Sequence, residues 1–110
     1  MACRVGPILA SSAIGGKDPA TGALAPDIDG QVESAFRNIE AVLGEAGMDM
    51  GDVVKITVLC TDDGARDAVN KLWLKHYPDP HVRPARHTHV SALRGGMLVQ
   101  FEILAVAKDA

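Results

Sequence analysis

From Met97 to Val106 the chain alternates without interruption: Met97, Val99, Phe101, Ile103 and Ala105 are apolar, while Leu98, Gln100, Glu102, Leu104 and Val106 mix apolar with polar. A repeat of two residues is the repeat of a β-strand, so this stretch specifies a strand with one wholly apolar face. That face has to be covered, and the nearest candidates are two helical patterns upstream. Asp29 offers an N-cap, after which Val32, Ala35, Phe36, Ile39, Val42, Leu43 and Ala46 recur at steps of three and four. Gln31, Glu33, Arg37, Asn38, Glu40 and Glu45 fall on the opposite side, which predicts an amphipathic helix facing water there. Gly47 closes it as a left-handed C′ residue. A second helix follows Asp62 or Asp63, with a stripe of Ala65, Ala68, Val69, Leu72 and Trp73, and Tyr77-Pro78-Asp79-Pro80 ends it.

Three further strands complete the pattern. Pro7 to Ile14 is a short apolar run. Asp52 to Thr61 alternates, with Val54, Ile56, Val58 and Cys60 on one face and Val53, Lys55, Thr57 and Leu59 on the other. Arg83 to Glu102 opens with Pro84, which cannot donate to a ladder, and reads as a β-hairpin turning at Gly95-Gly96 that brings Arg86 near Gln100 and Glu102. The fold class is therefore α+β: one domain over residues 1–110, with a four-stranded mixed sheet and two helices on one face. The other face, carrying Val53, Leu59, Leu98, Leu104 and Val106, is too apolar to rest in water, since burying each such side chain is worth roughly 1.5–3 kcal/mol. Self-association is expected to cover it, with a small-molecule pocket between subunits near Gln100 and Glu102.

Composition narrows the function classes. A net charge of −3 with interspersed signs gives no basic stripe for nucleic-acid phosphates, and one Trp and one Tyr give no series of stacking platforms. No apolar run approaches the roughly 20 residues that span a bilayer. Cys3 and Cys60 are expected as free thiols in a reducing cytoplasm. The loop Gly15–Gly30 has neither G-x-x-x-x-G-K-[ST] nor G-x-G-x-x-G, so its glycines and prolines read as turn residues. His76, His81, His87 and His89 invite a metal reading, but no cysteine or carboxylate completes a ligand spacing, and no metal is expected. Strict alternation sets Arg86, Thr88 and Val90 on one face and His87 and His89 on the other, where helices should pack. A bulge near Pro84, or buried histidines bonded to the second helix, would reconcile that with an Arg86 facing the open side.

Arginine is permanently charged and presents a planar fork that fits a carboxylate with two parallel hydrogen bonds, which makes Arg86 a candidate anion anchor. The segments I-L-A-S-S-A-I-G-G-K-D-P-A-T-G, Q-V-E-S-A-F-R-N-I-E-A-V-L-G-E-A-G, D-V-V-K-I-T-V-L, D-A-V-N-K-L-W, R-P-A-R-H-T-H-V and L-V-Q-F-E-I-L-A-V-A together resemble the RidA family, also called YjgF, from Gly6 to Ala107. The resemblance implies a chorismate-mutase-like fold, a homotrimer with intersubunit clefts, and cofactor-independent hydrolysis of enamines and imines such as 2-aminoacrylate and 2-iminobutyrate to 2-keto acids and ammonia. On the matching motifs it implies that Arg86 grips the substrate carboxylate, and that Ser12, Asn70 and Thr88 line the cleft. Ala13 stands where the family has glycine, and Thr88 where it often has cysteine. Gln100 stands where the archetype has a glutamate that handles water, with Glu102 as the remaining acidic position, and the tyrosine contributed by the archetype's N-terminal segment has no counterpart in this sequence. An amide orients but does not relay protons, so the change at Gln100 bears on the roughly 10²- to 10⁴-fold that acid-base assistance contributes. Three classes follow: a 2-imino acid deaminase, a deaminase for a larger amino-muconate-like or cyclic imine acid, and a carboxylate-binding or protein-protecting module without turnover. A ribonuclease role fits the acidic balance poorly.

Overall fold

A computed structural model describes residues 2–108. Strands β1 (Ala2–Val5), β2 (Ile8–Ser11), β3 (Ile14–Gly15), β4 (Val53–Cys60), β5 (Ala85–Val90) and β6 (Val99–Val106) form one sheet, and helices α1 (Ile28–Glu45) and α2 (Ala65–His76) cover one of its faces. The path across the sheet is β1-β2-β6-β4-β5, with β3 continuing along β6 beyond β2. The sheet has six strands where four were expected. β1 is the addition at one edge, and a one-residue shift splits the first apolar run into β2 and β3. At that break the Ser11 hydroxyl takes over a ladder position by accepting from the Ile103 amide at 2.9 Å.

The sequence patterns of the helices form as expected. Val32, Ala35, Phe36, Ile39 and Leu43 of α1 meet Val58, Phe101 and Ile103 of the sheet in one core, with Phe36 edge-on to Phe101. α1 ends in a Schellman arrangement: the Met48 amide donates to the Leu43 carbonyl at 2.9 Å and the Gly47 amide to the Gly44 carbonyl at 3.0 Å, with Gly47 at φ +71. The helix begins two residues sooner than Asp29 implied, with Asp27 in the N-cap position.

Four expectations need correction. First, β5 and β6 do not form a hairpin. β5 runs parallel to β4 after the α2 crossover, and β6 runs antiparallel along β4's other edge, so β4 lies between them. Gly95 and Gly96 do adopt positive φ, but the loop carries the chain over the end of β4: the Ser91 amide donates to the Cys60 carbonyl on one side, and the Thr61 amide to the Leu98 carbonyl on the other. An apolar central strand has two edges to pair, and a parallel β-α-β unit leaves the second edge open to β6. Second, a bulge between Val53 and Lys55 exchanges the first residues of β4, so Val53 is buried and Val54 is 45% exposed. Third, the α2 N-cap is Gly64, whose amide donates to the Asp62 side chain at 2.7 Å.

Fourth, Gln31 is not a water-facing residue but is 1% exposed. Its Oε1 accepts from the Leu98 amide at 2.8 Å, and its Nε2 donates to the Ala25 carbonyl at 2.9 Å and the Gly96 carbonyl at 3.3 Å. The side chain thus fastens the start of α1 to the loop that leads into β6. Gly16 allows this approach, because a Cβ there would lie 2.4 Å from the Gln31 carbonyl oxygen. Asn38, also placed on the water side by its spacing, is half-buried and donates to the carbonyls of Gly15 and Lys17, both at 2.8 Å.

Candidate functional site

Pairing with β4 decides which way β5 faces. Arg86 is level with the buried Ile56 and Thr88 with the buried Val58, so both lie on the helix side of the sheet. His87 and His89, level with Thr57 and Leu59, lie on the open side with their rings 4.0 Å apart. The alternation between these residues is as the sequence specifies, but the faces are the reverse of what a hairpin with Gln100 and Glu102 would impose. No bulge or buried histidine is needed.

β5 is an edge strand, so the helix layer meets Arg86 from one side only. Its Nη1 donates to Asn70 Oδ1 at 2.7 Å, and its guanidinium carbon sits 5.2 Å from the centre of the Trp73 ring. Asn70 and Trp73 are three residues apart on α2 and therefore share a face of the helix. One face of the guanidinium is packed on an indole and one nitrogen is held by an amide, which fixes the fork in space before any anion arrives. Burial lowers the Arg86 pKa, the nearby charge of Arg66 lowers it further, and the group still remains cationic. Arg66, Asn70, Arg86, His87 and Thr88 line an open cavity of about 430 Å³. Arg86, Asn70 and Thr88 are thus brought together, as the motif match implied. Arg66 and Trp73 are additions: the four-residue step from Arg66 to Asn70 was a usable signal for the first, while Trp73 was read only as core.

The remaining candidates lie elsewhere within the chain. Gln100 and Glu102 point to the open side of β6, level with Leu59 and Thr57, and so are on the opposite side of the sheet from Arg86. Gln100 is half-buried and its Nε2 donates to Met97 Sδ at 3.3 Å, whereas Glu102 is exposed. Ser12 is exposed in the link between β2 and β3. The histidines do not form one cluster: His76 stacks on Phe36 at 5.3 Å and faces Glu40 at 3.6 Å, while His81 lies in the turn after Pro80. Among the described residues no group of three or more His, Cys, Asp or Glu side chains is placed to hold a metal ion. Cys3 is exposed and Cys60 buried, both as free thiols. Among the described residues no helix is long and apolar enough to cross a membrane.

The open side of the sheet is apolar toward β1 and polar toward β5. Val5 pairs with Ile8, and Ile8 with Val106; next to them Ala10 pairs with Leu104. Their exposures are 73% for Val5, 49% for Ile8, 39% for Val106 and 37% for Leu104, which leaves a contiguous apolar surface.

Fold and site together define a small α+β protein that presents a pre-positioned arginine to an open cavity. More particularly, the chain belongs to the RidA/YjgF family: the family model described as Endoribonuclease L-PSP matches residues 1–108. A RutC family protein of Aquifex aeolicus is 36% identical over 92 residues, covering 83% of this chain and 74% of the relative. A Salmonella typhimurium protein named 2-iminobutanoate/2-iminopropanoate deaminase is 31% identical over 93 residues, covering 83% of this chain and 73% of that protein. The crystal structure of RidA from the Antarctic bacterium Psychrobacter sp. superposes with a TM-score of 0.88 at 33% identity, over 96% of this chain and 85% of that one.

Proposed function

We propose that this protein hydrolyses 2-imino acids, and the enamines that tautomerise to them, to 2-oxo acids and ammonia, in clefts between the subunits of a homotrimer. The observation that carries the reading is Arg86, oriented by Asn70 and Trp73 beside an open cavity and, among the described residues, in no ion pair with a carboxylate. The deaminase names borne by relatives support it.

The chemistry balances with water alone. Arg86 binds the substrate carboxylate through its fork, which places the adjacent C=N carbon at a fixed height in the cleft. Water adds to that carbon, and the π electrons of the bond pass to nitrogen. The two protons of the added water pass in turn to the nitrogen, the C–N bond breaks as the oxygen lone pair forms the C=O bond, and ammonia leaves a 2-oxo acid. Because Gln100 and Glu102 lie on the other side of the sheet from Arg86, they serve this reaction only when the open face of one subunit meets the β5 edge of another. In that arrangement Glu102 handles the proton and Gln100 orients the water. The apolar surface around Ile8, Leu104 and Val106 gives the subunits their reason to associate.

The test is a coupled assay in which an amino-acid dehydratase generates 2-iminobutyrate and the release of 2-oxobutyrate and ammonia is followed. The folded protein should accelerate release. Arg86→Ala should remove the acceleration, and Arg86→Lys should lose most of it because a point charge does not reproduce the bidentate fork. Acceleration that survives Arg86→Ala removes the assignment. One observation favours a second reading, a carboxylate-binding module without turnover: the Gln100 amide donates to Met97 Sδ and brings no acidic group to that position. Binding of 2-oxo acids with no acceleration selects it.

A further inference from the structure

Arg66 and Asn70 stand one turn apart on α2, so their side chains leave the same face of the helix, and both line the cavity that Arg86 and Thr88 border from β5. One carboxylate occupies one guanidinium fork, so Arg86 alone meets the requirement of a monocarboxylate. The second arginine has no role in that scheme. It also has a cost, because like charges around a partly desolvated cavity repel. The effect is visible in Arg86, whose pKa is lowered first by burial and next by Arg66.

Nothing in the cavity offsets this pair. Its described lining residues are Arg66, Asn70, Arg86, His87 and Thr88, with no Asp or Glu among them. The carboxylate that Arg66 does meet is Asp63, which accepts from its Nε at 2.9 Å three residues back along the chain. The two side chains are 49% and 74% exposed, so solvent screens the pair and Arg66 can exchange Asp63 for another anion at little loss. Two guanidinium groups facing one cavity, one held by Asn70 and Trp73 and one tethered only by an exposed contact, suit a ligand with two separated negative groups.

We infer that Arg66 is a second anion anchor, and that the preferred substrates are dicarboxylic: a 2-imino acid whose side chain ends in a further carboxylate. The inference rests on the reading that Arg86 holds the first carboxylate. Arg86 fixes the reacting end of the molecule, and Arg66 sets the length and charge of the side chain that is accepted.

The test compares two five-carbon 2-oxo acids that differ in the distal carboxylate, 2-oxopentanoate and 2-oxoglutarate, by isothermal titration of the intact protein and of an Arg66→Gln variant whose fold is verified by circular dichroism. The wild type should bind 2-oxoglutarate at least about tenfold more tightly, Arg66→Gln should bring the ratio to within about threefold, and added salt should shrink the wild-type ratio. Equal affinities in the wild type overturn the inference, as does a preference that survives Arg66→Gln. If 2-oxopentanoate binds in a manner that Arg86→Ala abolishes but the distal carboxylate adds nothing, only the second anchor fails. If neither acid binds, the Arg86 assignment fails and the inference with it.

Discussion

The two faces of the sheet are made by the same strands, and often by neighbouring residues, yet they do different work. On the helix side of β6, Val99, Phe101, Ile103 and Ala105 are buried, at most 3% exposed. One residue along each time, Gln100, Glu102, Leu104 and Val106 look out from a surface that no element among the described residues covers. The first face holds the domain together. The second combines apolar side chains toward β1 with Lys55, Thr57, Glu102, His87 and His89 toward β5, and it is the face to which the proposed function assigns the subunit contact. Arg86 belongs to the first face by its register with Ile56 of β4, and because β5 is the edge strand it can be backed by the core and still reach a cavity.

Substitutions on β6 should separate the two roles most sharply. Phe101→Ala removes a fully buried ring packed against Phe36 and should cost about 3–5 kcal/mol, read from urea unfolding. Leu104→Asp, three residues along and already 37% exposed, should change the stability of the single subunit by no more than about 0.5 kcal/mol. It should instead lower the mass of the assembly measured by light scattering. If Leu104→Asp unfolds the chain while Phe101→Ala is tolerated, the assignment of roles to the faces is wrong.

What the sequence made legible follows from how far apart the interacting residues lie. The alternation of Met97–Val106 and the stripes of the two helices are local patterns, and they place the core with few errors. The match to the family's separate motifs likewise grouped Arg86, Asn70 and Thr88, which the structure brings into one site. Pairing between strands is not local. Arg83–Glu102 contains a convincing turn at Gly95-Gly96, but which edge the returning strand takes depends on β4, more than 20 residues upstream, and the parallel pairing of β4 with β5 reversed the face expected for Arg86. The bulge at Val53/Lys55 inverted a single pair of residues for a similar reason. Arg66 was missed because a charged residue on an exposed helix position has an ordinary explanation until β5 is set beside it.

Gln31 shows how a polar residue can serve the covered face, and it gives the next test. Its Oε1 is the acceptor for the Leu98 amide, and its Nε2 satisfies two carbonyls from separate loops. Gln31→Leu keeps the volume but leaves the Leu98 amide and the Ala25 and Gly96 carbonyls without that partner, at about 1–3 kcal/mol for the group left unsatisfied. Faster hydrogen exchange at the Leu98 amide should accompany the loss. Unchanged exchange there would mean that the loop into β6 is held by other contacts, and the burial of Gln31 would then need a different reason.

The last effect should come from Tyr77, at the end of α2 on the covered side, and it is a pH effect whose direction can be worked out. Its side chain is buried, the hydroxyl donates to the Met50 carbonyl at 2.9 Å, and burial, helped by the charge of Asp49, pushes its pKa from 10.0 up to about 12. A raised pKa means that the folded chain keeps a proton the unfolded chain gives up. The contribution is therefore complete below pH 10 and is lost as pH rises from 10 through about 12, by at most about 2 kcal/mol once solvent screening is allowed for. Tyr77 is the one tyrosine in the sequence, so its ultraviolet absorbance follows the ionisation directly, and Trp73, with its ring 5.1 Å away, reports unfolding by fluorescence. Other groups also titrate in this range, so the difference between the wild type and Tyr77→Phe is the quantity to measure. The alkaline loss of stability should be shallower in Tyr77→Phe, and identical slopes would show that the phenol is not held in its neutral form by the covered face.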